Sequence, residues 1–174
     1  MAGRTKFNVS KNPATRTYGG IVFDSAMEMQ YYRDFVLPRL KSGEIKSCER
    51  QVKYILQEKF KHVNSVGKTE NIRAIDYVAD FVLVWADGRK QVIDTKGMAD
   101  ATALLKRKLF WFKYPDVEYL WLTKNMKYGK DNEGWIDFDT LQKIRRNAKK
   151  AKAEGKNEIL EYAGTCGFCE RGCR

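Results

Sequence analysis

No run of apolar residues in this chain approaches the roughly 20 needed to cross a bilayer as a helix, so no membrane span is expected. The first twenty residues, MAGRTKFNVSKNPATRTYGG, lack the apolar stretch of a secretion signal. The expected location is therefore the cytoplasm. There is a single histidine, His62, near a turn and without an obvious partner. That scarcity argues against a Ser-His-Asp triad and against a histidine-bound metal centre. Acidic residues are in deficit, 22 against 33 lysines and arginines, for a formal charge of +11. The excess favours a polyanionic partner through phosphate contacts and counterion release. Charge alone does not separate DNA from RNA or from an anionic membrane surface. No internal repeat and no low-complexity tract is present.

Cysteines number four. Cys48 stands alone, and Cys166, Cys169 and Cys173 share the terminal segment TCGFCERGCR. In a reducing cytosol a C-x-x-C-x-x-x-C run suggests metal before disulfide. The leading expectation is a thiol-bearing tail, with Zn²⁺ or an iron–sulfur cluster on the four cysteines as the alternative.

What is there is enough for one globular domain. A chain of 174 residues with 43% apolar content can bury a core without disulfide staples. Residues 1–20 read as a flexible basic arm, 21–157 as the domain, and 158–174 as the tail. Ser25 caps an amphipathic helix carrying Met27, Tyr31, Val36 and Leu40, and Gly43 lies just past its end. Cys48 to Phe60 alternates as a strand. Ile72 to Trp85 (IRAIDYVADFVLVW) is a longer strand, Asp87-Gly88 a turn, and Lys90 to Lys96 (KQVIDTK) its partner. A helix over 99–114 ends at Pro115, a buried strand spans Val117 to Thr123, and Asp139 caps a last basic helix with Gln142 in the capping-box position. The order implies an α/β fold, α+β in flavour, with a mixed central sheet flanked by helices.

Two strands carry residues that do not belong in apolar runs. Asp94 and Lys96 are two apart, so they share a face. Asp80 interrupts the preceding strand between Val78-Ala79 and Phe81-Val82. Charges in such positions are costly unless paired or bound to metal. Hairpin register decides whether they meet. A two-residue turn at Asp87-Gly88 would pair Asp80 with Thr95. A three-residue loop, Ala86-Asp87-Gly88 with Gly88 left-handed, pairs Trp85 with Arg89 and sets Asp80 opposite Asp94. The second is the expectation. Two carboxylates so placed repel unless a cation lies between them. Mg²⁺ suits one or two carboxylates completed by water and phosphate oxygens. Lys96 would then orient a water and stabilise the transition state.

VADFVLVWADGRKQVIDTKG resembles the core motif of the PD-(D/E)XK nuclease superfamily, in which an aspartate precedes a hairpin and an acidic-x-lysine triplet follows it. FDSAMEMQYYRDF, GEIKSCERQVKY, RAIDYVADF and the DTKG triplet resemble, over about residues 20–123, a phage and prophage family of unknown function in that superfamily. The layout is also similar to phage-type endonucleases that resolve branched DNA. The resemblance implies a restriction-endonuclease-like core and a DNA endonuclease using Mg²⁺ or Mn²⁺, with branched DNA in phage or prophage metabolism as its candidate substrate. It also implies the cytoplasm of a bacterial host and, since two strands must be cut, a homodimer. Asp80, Asp94 and Lys96 become catalytic candidates, and Glu28 on the first helix joins the metal-holding set. Glu28 is equally the last member of a Ser25-x-x-Glu28 capping box. Ala79 stands where the superfamily name has proline, and Asp94 where glutamate is commoner.

Lys106 and Arg107 on the helix after the triplet are expected to touch DNA phosphates, as are Arg73 and Gln51 on strands leading to the site. The competing expectation for the helix is a solvated face. Trp111 and Trp121 are expected in the core. Two other readings stay open: a DNA-binding module with the fold but no catalysis, and an exonuclease-like enzyme with a cysteine-bound cluster.

Overall fold

A computed structural model describes residues 12–153. The chain divides into two compact units between Leu122 and Thr123. The sequence treats 21–157 as one body. The division falls inside a strand, where hydrophobic patterning carries no boundary signal.

A mixed five-stranded sheet flanked by helices forms the framework, as expected. Its strands are β3 (Ile45–Gln57), β6 (Ile75–Trp85), β7 (Lys90–Thr95), β8 (Glu118–Lys124) and β9 (Trp135–Asp137), in that order. β6 pairs antiparallel with β3 and with β7, while β7 and β8 are parallel. A parallel pair needs a crossover, and α3 (Ala101–Lys113) supplies it, capped by the Asp100 side chain and stopped before Pro115. Phe81, Leu83, Val92 and Ile93 are almost wholly buried, which is why β6 and β7 read as near-continuous apolar runs. Tyr31 stacks on Phe35 and tilts against Phe81 at one end of this core. At the other, Phe110 of α3 packs on Tyr54, Tyr77 and Tyr119.

Two short hairpins complete the first unit. β1 (Thr17–Tyr18) and β2 (Ile21–Val22) are joined by Gly19-Gly20, both at positive φ, as a tight two-residue hairpin turn requires. A 3₁₀ turn over Pro13–Arg16 precedes them. Residues 13–20 are therefore built into the fold, whereas the sequence counts them as flexible arm. Residues 1–11 lie outside the described range. β4 (Phe60–Val63) and β5 (Thr69–Ile72) form the second hairpin, which the sequence does not announce because its faces are almost entirely exposed and leave no apolar alternation. It also shortens the expected 72–85 strand, which starts at Ile75.

The first long helix is three pieces: α1 (Ala26–Tyr31), a π turn over Tyr32–Val36, and α2 (Leu37–Ser42). Pro38 has no N–H to give the carbonyl one turn back, and a widened turn just before it accommodates that loss. Gly43, at φ +82, ends the helix as the sequence predicts. In the second unit α4 (Phe138–Ala153) starts one residue before Asp139. Its cap is Asp137, whose Oδ1 accepts from Thr140 N and Oγ1 at 2.8 Å each. Ile136, Leu141 and Ile144 form that unit's small core. Among the described residues, no helix is long and apolar enough to cross a membrane.

Candidate functional site

The β6–β7 register runs Val84↔Lys90, Leu83↔Gln91, Val82↔Val92, Phe81↔Ile93. Trp85 N–H donates to Arg89 O at 2.9 Å, and Gly88 sits at φ +89. This is the three-residue loop, and continuing the register by one sets Asp80 opposite Asp94. The regular ladder stops there. The Asp80 carboxylate takes the next amide itself: Oδ2 accepts from Thr95 N at 2.7 Å and from Thr95 Oγ1 at 2.9 Å.

The same position is irregular on the other side. β3 pairs Arg50↔Phe81 and then Val52↔Ala79, skipping Gln51 and Asp80. Gln51 has φ +53, a left-handed conformation for a non-glycine residue inside a strand. Such a conformation costs on the order of 1–2 kcal/mol and persists only where its surroundings impose it. What it accomplishes here is reach: Gln51 Nε2 donates to Glu28 Oε2 at 3.3 Å. Asp80 is thus flanked by two departures from regular pairing, and the acidic side chains gather where the sheet loosens.

Glu28 is buried on α1. Ser25 Oγ caps the helix by accepting from Glu28 N at 3.1 Å. The Glu28 carboxylate does not close the capping box on Ser25 N–H; its Oε2 accepts from Asp24 N and Gln51 Nε2. Burial raises its pKa, with Asp24 and Asp94 adding to the rise and the Ser25 hydrogen bond opposing it. Asp94, 3% exposed, binds Lys96 Nζ through Oδ2 at 2.7 Å. Tyr119 OH donates to the same oxygen at 3.5 Å and accepts in turn from Trp121 Nε1. Lys96 Nζ lies 5.4 Å from the Trp121 ring centre.

The electrostatic consequence falls on Asp80. Burial first, then the charges of Asp94 and Glu28, push its pKa up to about 9 against the backbone hydrogen bond from Thr95. Three carboxyl groups therefore act on one another, and among the described residues the one lysine ion-paired to any of them is Lys96 on Asp94. In the folded protein the cluster retains a proton that an ordinary aspartate has lost. Among the described residues no three acidic, histidine or cysteine side chains converge as a ready-made metal cage. Each carboxylate is instead turned to a protein donor: Thr95 for Asp80, Lys96 for Asp94, Gln51 for Glu28.

The expected nucleic-acid contacts separate. Arg107 is 8% exposed, its guanidinium carbon 4.3 Å from the ring centres of both Trp111 and Trp121. Its side chain is buried against Trp121 and the partly exposed Trp111 and does not lie on a solvated face. Lys106, one residue earlier, is half-buried and lines a cavity of about 750 Å³ beside Lys96. Arg73 is exposed in the link between β5 and β6. Gln51 serves Glu28. Trp111 is 43% exposed and Phe112 87%, so this part of α3 is a surface where the sequence suggests core. Cys48 is half-buried with its thiol pushed up to about 12 by burial, which disfavours the thiolate a metal requires. Cys166, Cys169 and Cys173 lie outside the described residues.

Sequence reasoning did not single out Thr95, Tyr119 or the strain at Gln51. Thr95 and Tyr119 look like ordinary strand residues, and their roles depend on a splayed ladder and a parallel neighbour. The signal that was available is Gln51 itself, a polar residue in step with Asp80 on an adjacent strand.

No curated protein and no solved structure matches the chain. Residues 4–130 match a family described as protein of unknown function (DUF1064), and the chain belongs to that family.

Proposed function

We propose that this chain is a Mg²⁺- or Mn²⁺-dependent nuclease that hydrolyses phosphodiester bonds inside DNA, with Asp80 and Asp94 holding the metal, Glu28 adding its charge beside them, and Lys96 at the scissile phosphate. The observation that carries the reading is the pair Asp80–Asp94, brought together at the point where β6 and β7 part, with Lys96 beside it. The donor set fits a hard divalent ion. All donors are oxygens; burial first, and then their mutual repulsion, lifts the Asp80 pKa, and the repulsion is what a cation would relieve. Mg²⁺ needs only one or two carboxylates when substrate phosphates complete its shell, so a three-residue cage is not required.

When bound, the metal would activate water and offset charge on the phosphate. The chain's own residues do the rest. Thr95 holds Asp80 by two donors, fixing its orientation. Tyr119, tied to Trp121, does the same for Asp94. Gln51 holds Glu28 from the neighbouring strand. The Lys96 ammonium rests on Asp94 and lines the cavity on the other side, so it is positioned to donate to a phosphate oxygen as charge develops. The chain's +11 charge favours the DNA backbone at large.

The test is incubation of the purified protein with a labelled four-way junction and a matching duplex, with Mg²⁺, Mn²⁺ or EDTA. Metal-dependent cutting should fall by about 10²-fold or more in Lys96→Ala, by analogy with loss of a single transition-state donor, and in Asp94→Ala, with DNA binding retained. Paired nicks confined to the junction would add branch specificity; equal cutting of both DNAs would remove it. The 2.7 Å Asp94–Lys96 ion pair favours one second reading, a DNA-binding module in which the lysine permanently occupies the metal's place. Binding without cutting under every metal would establish that reading in place of the first.

A further inference from the structure

Beside the carboxylate cluster, the start of β6 and the first turns of α3 border the cavity of about 750 Å³, which is widely open to solvent. Its walls are residues 74–78 on one side and Thr102, Ala103 and Lys106 on the other, with Lys96 and Trp121 joining it to the cluster. Three features give it a chemical character. First, β6 outruns its neighbour. β3 pairs with it from Ile75 onward, but the β7 pairing covers only Phe81 to Val84. Among the described residues no strand lies against 75–78 on the β7 side, which leaves that edge of β6 open to a ligand's polar groups. Second, the two carboxylates in the wall are already engaged: Asp76 pairs with Lys53 at 2.6 Å, and Asp100 caps α3 by accepting from Ala103 N at 2.8 Å. Third, Lys106 is half-buried, and no carboxylate pairs with it among the described residues. A partly desolvated ammonium without a counterion is stabilised by an incoming anion.

We propose that this cavity seats the nucleotide adjoining the scissile phosphate, with that nucleotide's own phosphate on Lys106 Nζ and its sugar and base against the open edge of β6. The assignment rests on the nuclease reading for the neighbouring site and adds the substrate unit that the protein grips: two consecutive phosphates of one strand, one at Lys96 and the next at Lys106.

The experiment compares binding of thymidine 3′,5′-bisphosphate and thymidine 5′-monophosphate to the full chain in Mg²⁺, by calorimetry or NMR titration. The bisphosphate should bind about tenfold more tightly, the gain of one charged hydrogen bond. Lys106→Gln should bring the ratio close to one, and Lys106→Arg should keep most of it. Thr102→Trp, which fills the cavity from an exposed position and spares both lysines, should also abolish the preference. Equal binding by wild type, or a ratio that survives both Lys106→Gln and Thr102→Trp, overturns the proposal. The two readings fail separately. An intact ratio without DNA cleavage sinks the nuclease and supports the cavity. Cleavage without the ratio sinks the cavity alone.

Discussion

Asp80→Asn perturbs the site where its electrostatics are most exposed to measurement. In metal-free protein the folded state holds a proton at Asp80 up to about pH 9, whereas the unfolded chain releases it near the ordinary aspartate value of 3.8. The folded state therefore binds more protons across that interval, so stability is greatest at its acid end and declines as pH rises towards 9. One retained proton sets a slope of about 1.4 kcal/mol per pH unit. From about pH 5 to about pH 8 the loss amounts to about 4 kcal/mol, a large share of the 5–15 kcal/mol typical of a domain. The three carboxyl groups titrate together, so the proton belongs to the cluster as a whole. Asparagine keeps an oxygen to accept from Thr95 N–H and Oγ–H and removes the charge. The assay is urea denaturation in EDTA at three pH values for wild type and variant. Wild type should lose stability steeply with pH, Asp80→Asn should be nearly flat, and the variant should be the more stable above neutrality. Parallel pH profiles for the two proteins would refute the reasoning, because ionisation at Asp80 would then cost the fold nothing. Adding Mg²⁺ should flatten the wild-type profile and leave the variant's unchanged.

Gln51 offers a test of strain. Gln51→Gly and Gln51→Ala both delete the hydrogen bond to Glu28, but only glycine accepts φ +53 freely, so the glycine variant should be about 1 kcal/mol the more stable; equal stabilities would mean the backbone there is unstrained. Arg107→Ala removes a guanidinium packed between two indoles and should lower stability by about 2 kcal/mol while leaving DNA affinity within a few-fold. Thermal melts and anisotropy titrations read both, and unchanged stability with weakened binding would restore Arg107 as a phosphate contact.

Much of the framework is legible in the residues because it follows from local rules. Ser25 and Gly43 bracket the first helix, Pro115 ends the third, and the apolar runs of β6 and β7 announce strands buried on both faces. The meeting of Asp80 and Asp94 is one of two registers the sequence allows and the one it favours, and the Ala86-Asp87-Gly88 loop with its left-handed glycine decides for it. Elements without an apolar face escape this reasoning. The β4–β5 hairpin is one, and the short β1–β2 hairpin, read as part of an arm, is another.

The sequence by itself determined which charged residues interrupt apolar strands and that two of them share one end of a hairpin, because strand periodicity and turn geometry act over a few bonds. Only the tertiary structure decided what surrounds them. Tyr119 reaches Asp94 because β8 lies parallel to β7, Gln51 reaches Glu28 because β3 departs from regular pairing, and Lys106 and Arg107, adjacent in sequence, part company. One lines the cavity and the other is buried between tryptophans, because consecutive helical residues point about 100° apart, and only the packed neighbours settle which direction is core.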